Sequence, residues 1–396
     1  MKSALQGIRI LDLSRVLAGP WATQLLGDYG ADVVKVERPG RGDDTRQWGP
    51  PWLGSESAYF LSTNRNKRSV TIDLACDEGK VLVRELAAKA DVLVENFRVD
   101  TLKRLDLDPE ELMQSNPRLI VCSISAFGQN GSRAQEPGYD AMIQASGGLM
   151  SITGPEDGGP QKVGVAIADI MAGMYAANAI LVALHARERS GEGQRIDVPL
   201  YDSQVAWLAN QNMNYLVSGV APGRMGTAHP NLVPYQAFET RDSDLMLAIG
   251  NDRQFADLLD CIGRPDLVSD PRYSNNAARI EHREELVALI ADRFCRETTA
   301  YWLAELARRR IPAGPINDIG EVLGNEFAGE RGIVRAVRNA AGDDVPIVSN
   351  PVDFSATPAI YERAPPLLGE HTGEVLQEWL GYSAEAIDAL RNKAAI

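Results

Sequence analysis

Histidine and cysteine, the side chains most often found in metal centres and nucleophilic sites, are scarce in this chain, with four of each in 396 residues. Cys76, Cys122, Cys261 and Cys295 are scattered and form no CxxC pair. That excludes a disulfide framework or a zinc site and fits a reduced, cytoplasmic setting. His185, His229, His282 and His371 are too widely spaced to suggest a ligand set, and no metal is expected. An excess of basic residues is also missing. Lys and Arg number 40 against 54 Asp and Glu, a formal net charge of -14, which argues against nucleic acid as a partner. It does not exclude a small anion, because local arginines can still build a positive pocket. The P-loop pattern GxxxxGK[ST], the zinc pattern HExxH and the nucleophile elbow GxSxG are all absent. PGRGDDT (39–45) lacks the third glycine of a dinucleotide loop and follows the second strand, so it reads as a turn.

What is present suits a large globular protein, with 44% hydrophobic and 24% charged residues. The N-terminal stretch runs directly into an apparent strand, without the apolar core and cleavage site of a signal peptide. One long apolar run, residues 163–186, reaches membrane-spanning length. Asp169, Asn178 and His185 interrupt it and no second run accompanies it, so a core helix and no membrane partner are expected.

Strand and helix patterns alternate from the start. IRILD (8–12) reads as a strand, and PWATQLLGDYG reads as a helix with Pro20 in its first turn and Gly30 as its stop. ADVVKVE (31–37), TIDLA (71–75), DVLVENF (91–97) and LIVCSIS (119–125) read as further strands, with helices over 78–90 and near 100–114. Such alternation implies βαβ units and a mostly parallel, Rossmann-like sheet. Ligands of these sheets sit beyond the C-terminal strand ends, where Arg38, Arg98 and Arg104 fall, and guanidinium groups there suit phosphate. The expected large domain spans 1–203 plus 330–396. A smaller α+β domain spans 226–325, with linkers at 204–225 and 326–340.

Asp169 is the one charged residue of the apolar run. An Asp at a helix start caps backbone N–H groups and faces the positive end of the dipole. A poorly hydrated carboxylate is also a competent nucleophile toward activated acyl carbon. Periodicity does not separate the two roles.

RVLAGPWATQLLGDYGADVVKVERPGRGDDTR (15–46), NRNKRS (64–69), DVLVENFR (91–98), GYDAMIQASGGLM (138–150), VGVAIADIMAGMY (163–175) and PLLGEHT (366–372) together resemble the class III CoA-transferases. MGTAHPNLVPYQAF (225–238) and RQWGPPW (46–52) are most similar to the branch that uses succinyl-CoA and dicarboxylates such as glutarate. The resemblance implies that Asp169, in a GxAxxD context with Gly164 and Ala166, carries the acyl group and then CoA as covalent intermediates. It implies CoA contacts at Leu17, Ala18, Arg38, Ile72, Asp73, Leu74, Ala75, Asn96, Phe97, Arg98, Arg104, Tyr139 and Asp140. It also implies an interlocked, ring-like homodimer acting on acyl-CoA and small carboxylic acids. Leu17 stands where the formyl-CoA:oxalate branch has Gln, and AIGND (248–252), with Gly250, replaces that branch's glycine run. Tyr139 replaces the His of the acyl-CoA racemases. Arg15, Arg46, Arg224 and His229 are candidate readers of the acceptor's far carboxylate.

Overall fold

The structure, a computed structural model, describes residues 3–396. The chain divides into two compact units. The larger comprises residues through Leu149, Lys162–Val217 and Glu326–Ile396, and the smaller comprises Met150–Gln161 and Ser218–Asn325.

The larger unit is built on a six-stranded sheet whose neighbouring strands all run parallel. Across the sheet the strands are Lys67–Thr71, Asp32–Glu37, Arg9–Asp12, Val92–Glu95, Ile120–Ser125 and Arg195–Pro199. This is the doubly wound order, with the switch point between Arg9–Asp12 and Val92–Glu95. Alternation along each strand feeds two cores. Ile10, Val33, Val92 and Ile120 face one side, where the helices Ala18–Asp28 and Ile167–Ser190 pack. Leu11, Val34, Leu93 and Val121 face the other, against Asp77–Ala87 and Thr372–Leu380.

The apolar run of the sequence becomes the helix Ile167–Ser190, long and apolar enough by composition to cross a membrane. Ala168, Ala172, Ala176, Ala177 and Ile180 are buried in the first core. Gly173 permits the close approach: a Cβ there would sit 2.6 Å from the Ala18 carbonyl oxygen.

Two sequence expectations shift and one strand was not expected. TIDLA is not a strand; the strand is Lys67–Thr71, and Ile72–Ala75 form the loop beyond its C-terminal end. Lys67 and Arg68 disguised that strand, because both are buried charges held by ion pairs, Lys67 with Asp12 and Arg68 with Asp32, Glu374 and Glu378. The helix expected near 100–114 is broken into Thr101–Arg104 and Pro109–Ser115, since Pro109 can only open a helix and Asp108 caps it through the Glu110 N–H. The sixth strand, Arg195–Pro199, carries too little apolar character to stand out in the sequence.

The smaller unit has a three-stranded antiparallel sheet, Tyr235–Glu239, Asp244–Ala248 and Ala313–Pro315, covered by Asp252–Cys261, Arg283–Phe294 and Thr299–Arg308. Its core holds Phe238, Leu245, Phe255, Phe294 and Trp302, and the Trp302 indole N–H donates to the Phe294 carbonyl at 2.8 Å.

Gly173→Ala adds about 1 kcal/mol of helix propensity but forces the methyl into backbone, an overpacking cost of roughly 1–3 kcal/mol. Thermal unfolding is expected to show a net loss. Gly329→Ala, with nothing within 4 Å of its added Cβ, is expected to be neutral or slightly stabilising. Equal melting temperatures for Gly173→Ala and the parent would refute the packing account.

Candidate functional site

Loops at the C-terminal strand ends meet at the switch point. Ser14–Ala18 follows the first strand, and Asn96–Arg98 follows the fourth. Asn96 ties them together: its Oδ1 accepts the Arg15 N–H at 2.8 Å and its Nδ2 donates to the Arg15 carbonyl at 2.7 Å. The Arg15 guanidinium lies over the Phe97 ring, 5.5 Å from its centroid. Val16 takes a left-handed φ of 71°, a strained conformation for a β-branched residue. Both Asp43 carboxylate oxygens face its N–H at 3.3 Å.

Beneath this turn lie two lysines with no exposed surface. Lys35 Nζ pairs with Asp43 at 2.9 Å and donates to the Ser14 carbonyl at 2.8 Å. Lys67 Nζ pairs with Asp12 at 3.2 Å and donates to the Pro20 carbonyl at 2.9 Å. Burial pushes the Lys67 ammonium down to about 8 against the attraction of Asp12. The Asp12 carboxylate accepts from the Ser14 N–H and hydroxyl and from Thr23, which with the two lysines holds its pKa below the ordinary carboxylate range despite burial.

Two cavities open on the turn. One, of about 190 Å3, is lined by Leu17, Ala18, Asn96, Arg98, Tyr139 and Asp169. The other, of about 290 Å3, is lined by Arg38, by Ile72 through Ala75, and by Thr101. Arg15, Asp44 and Phe97 line both, so the two adjoin along one edge of the sheet. Twelve of the fourteen residues implied for catalysis and CoA contact therefore line one cavity or the other. Arg104 lines neither; its Nη2 donates to Thr101 Oγ1 at 2.8 Å. Asp140 is buried and also lines neither cavity.

The structure separates the two roles open to Asp169. It occupies the third position of the helix Ile167–Ser190, and the cap is Asp140, from the helix Asp140–Ser146. Asp140 Oδ1 accepts the Ala168 N–H at 2.8 Å, while its Oδ2 accepts from Gln144 at 2.7 Å. Gln144 in turn accepts the Val163 N–H at 2.9 Å, fixing the chain entering the helix. Asp169 is thus released from capping and faces the cavity. Its carboxyl is pushed up to about 7, chiefly by burial and secondarily by the Asp140 charge, even though the helix start favours an anion. Sequence reasoning missed Tyr59. Burial and then the charges of Asp169, Asp140 and Asp43 push its phenol up to about 12, so it stays a neutral donor near Asp169. Nothing in SAYFL marks it.

The four candidate carboxylate readers part company. Arg46 is set aside. Its Nε and Nη2 bind Glu37 at 2.8 Å each, its Nη1 pairs with Glu56 at 2.8 Å, and its guanidinium stacks on Phe60. Arg15 stays half-exposed at the cavity edge beside Asp44. Arg224, in the smaller unit, donates to the Gly158 carbonyl at 2.8 Å, and its buried Nε has no hydrogen-bond partner among the described residues. The His229 ring packs on Tyr235, and its Nδ1 accepts the Asn231 N–H, which leaves the proton on Nε2. Gly250 donates its N–H to Gln254 at 2.9 Å. Sequence reasoning also passed over Arg283, whose Nη2 donates to the His229 and Pro230 carbonyls.

Fold and site define an α/β protein with adjoining cavities at the switch point and a half-buried carboxylate facing one of them. The chain belongs to CoA-transferase family III, which matches residues 5–372. It is 48% identical over 383 residues to a succinate–glutarate CoA-transferase of Agrobacterium fabrum, covering 95% of this chain and 96% of that protein. It is 42% identical to a human succinyl-CoA:glutarate CoA-transferase, covering 99% of this chain and 90% of that one. Among solved structures, a CAIB/BAIF family protein from Brucella suis is 44% identical with a TM-score of 0.85, covering 96% of this chain and all of that one.

The raised Asp169 carboxyl has a stability consequence. The unfolded chain releases this proton near 3.8 and the folded protein near 7, so ionisation weakens the fold as pH rises through that window. Asp169→Asn is therefore expected to match the parent at acid pH and to be more stable at about pH 8, by at most about 4 kcal/mol. Paired denaturant titrations at the two pH values check this. An equal stability difference at both would show that Asp169 is not held up by its surroundings.

Proposed function

We propose that the protein transfers CoA from succinyl-CoA to a dicarboxylic acid such as glutarate, with Asp169 as the covalent carrier. The observation that carries the reading is Asp169 itself, a desolvated carboxylate excused from capping by Asp140 and facing the cavity lined by Leu17 and Tyr139. The activities named for the relatives supply the substrates.

In this reading acyl-CoA lies along the adjoining cavities. Arg38 and Arg98 hold its phosphates, Ile72 through Ala75 hold adenosine, and the thioester reaches Asp169. An Asp169 oxygen attacks the thioester carbonyl, the C–S bond breaks, and CoA leaves as thiolate from a mixed anhydride. The thiolate then attacks the aspartyl carbonyl, which releases succinate and leaves CoA on Asp169 as a thioester. The acceptor carboxylate attacks that thioester and expels the thiolate, and the thiolate takes the acceptor's acyl group, restoring the Asp169 carboxylate. One thioester is exchanged for another, so no energy source is required. No metal is needed for these steps. Water would hydrolyse either intermediate, and burial around Asp169 limits its access. Of the candidate readers, Arg15, Arg224 and His229 each retain a donor for a second carboxylate, and we keep the task with these three. The enzyme works as a homodimer in the cytoplasm. The helix Asn210–Ser218, which buries none of its residues and exposes Leu216 and Val217 by 71% and 81%, supports a partner surface.

Asp169→Ala is expected to lower exchange by about a thousandfold or more while keeping CoA affinity within a few-fold. For the parent, kcat should fall as pH drops below about 7, following the loss of the carboxylate. Mass detection of new acyl-CoA products from succinyl-CoA and a panel of acids tests both. Undiminished exchange by Asp169→Ala would end this reading, and preference for oxalate over glutarate would move the chain to an oxalate transferase. Arg224→Met is expected to raise the KM of glutarate about tenfold and to spare monocarboxylates. An equal rise for both acids would remove Arg224 as the reader.

A further inference from the structure

The parallel register places Glu95 opposite Ser123 and Ser123 opposite Asp197, so three polar residues form one row across three neighbouring strands. Glu95 and Ser123 are each only 4% exposed. The row borders a cavity of about 580 Å3, which shares Arg98 and Val99 with the first of the two already described and Thr101 with the second. The proposed chemistry leaves Glu95 unused.

Glu95 is nevertheless bonded to the CoA side of the sheet edge. Its Oε2 accepts the Phe97 N–H at 2.9 Å, which closes the turn that carries Asn96, Phe97 and Arg98. Phe97 supports Arg15 from below, and Asn96 holds both backbone groups of Arg15. One carboxylate therefore anchors a turn whose side chains line both adjoining cavities.

We propose that Glu95 is a positioning residue for acyl-CoA: its carboxylate fixes the turn after the fourth strand, and protonating it loosens that turn and weakens CoA binding. This rests on the assignment of the adjoining cavities to CoA. An ionised acceptor makes a hydrogen bond roughly twice as strong as a neutral one, so the proton changes how firmly Phe97 is held. The surroundings place that proton in the physiological range. Burial is the largest influence and Asp197 adds to it, while the Ser123 hydroxyl, the Phe97 N–H and Arg195 oppose them, and the carboxyl stands at about 7. Arg195 is itself engaged by Glu110, and Lys103 lies 3.6 Å from Asp108. The Cys122 thiol beside the row is pushed up by burial and stays neutral. No cation forms an ion pair with Glu95 among the described residues.

The test measures binding rather than turnover, with dephospho-CoA as probe because its diester pyrophosphate does not titrate near neutrality. Using the Asp169→Asn protein removes the other carboxyl that titrates in this range. Calorimetric Kd values are expected to be about five-fold weaker at about pH 6 than at about pH 8. Adding Glu95→Gln should flatten that difference. Adding Asp197→Asn should leave it in place but move its midpoint to lower pH, because a neighbouring anion has gone. A purely structural Glu95 would change melting temperature without a pH-dependent Kd. A flat profile in the Asp169→Asn protein, or an unmoved midpoint with Asp197→Asn, overturns the proposal while leaving the CoA assignment standing. Failure of dephospho-CoA to bind at any pH overturns both.

Discussion

Two buried ion pairs fix the site. Lys35–Asp43 and Lys67–Asp12 lie inside a parallel sheet that otherwise buries apolar side chains, and removing such charges from water costs several kcal/mol per ion. Well-packed apolar side chains would be the cheaper way to fill the same volume. What the charges provide is direction. Lys35 binds the Ser14 carbonyl and Lys67 the Pro20 carbonyl, so the turn between them is held at both ends. Asp43 then reaches Val16, the strained residue at its apex. A left-handed β-branched residue persists only where its surroundings over-determine it, and these four charges do so. The turn they hold lines the cavity that contains Asp169.

Asp169 sits where opposing electrostatic effects nearly balance. The helix start favours its ionised form, whereas burial and Asp140 disfavour it, and the balance falls near neutrality. Had Asp169 capped its own helix, its oxygens would have been committed to backbone N–H groups and its pKa lowered. Asp140 accepts the Ala168 N–H instead, from a different helix. The division of labour between two carboxylates, one satisfied by backbone and one left unsolvated, leaves Asp169 weakly hydrated and able to ionise near neutrality.

Much of the larger unit was legible because its strands are short apolar runs with turn signals on either side. IRILD, ADVVKVE and LIVCSIS became Arg9–Asp12, Asp32–Glu37 and Ile120–Ser125 with ends displaced by a residue or so. The strand Lys67–Thr71 was hidden because its burial depends on partners distant in sequence, Asp12 and Asp32, which no local pattern reveals. The same cause hid part of the site. The residues implied for CoA contact fall at strand ends, which alternation locates, and they do gather around the adjoining cavities. Arg46 looked as available as Arg15, but Glu37 and Glu56 enclose it, a fact of packing. Tyr59 and Arg283 carry no pattern in their neighbourhoods, and only the folded chain places them.

The position of the site follows from the same topology. At the switch point the connections leave the sheet toward opposite faces, so the loops after the first and fourth strands part and leave a crevice that no side chain fills. Asn96 bridges that crevice at its base by binding both backbone groups of Arg15, which stops the loops from separating while leaving the space above them open. The long helix brings its N-terminus to the same edge because Gly173 lets it lie against Ala18. A bulkier residue there would lift Asp169 away from Leu17. Close helix packing, a clamped crevice and a carboxylate relieved of capping are thus one geometric solution: they bring an acid with little solvation to a place where a long, phosphate-bearing ligand can lie along the sheet edge.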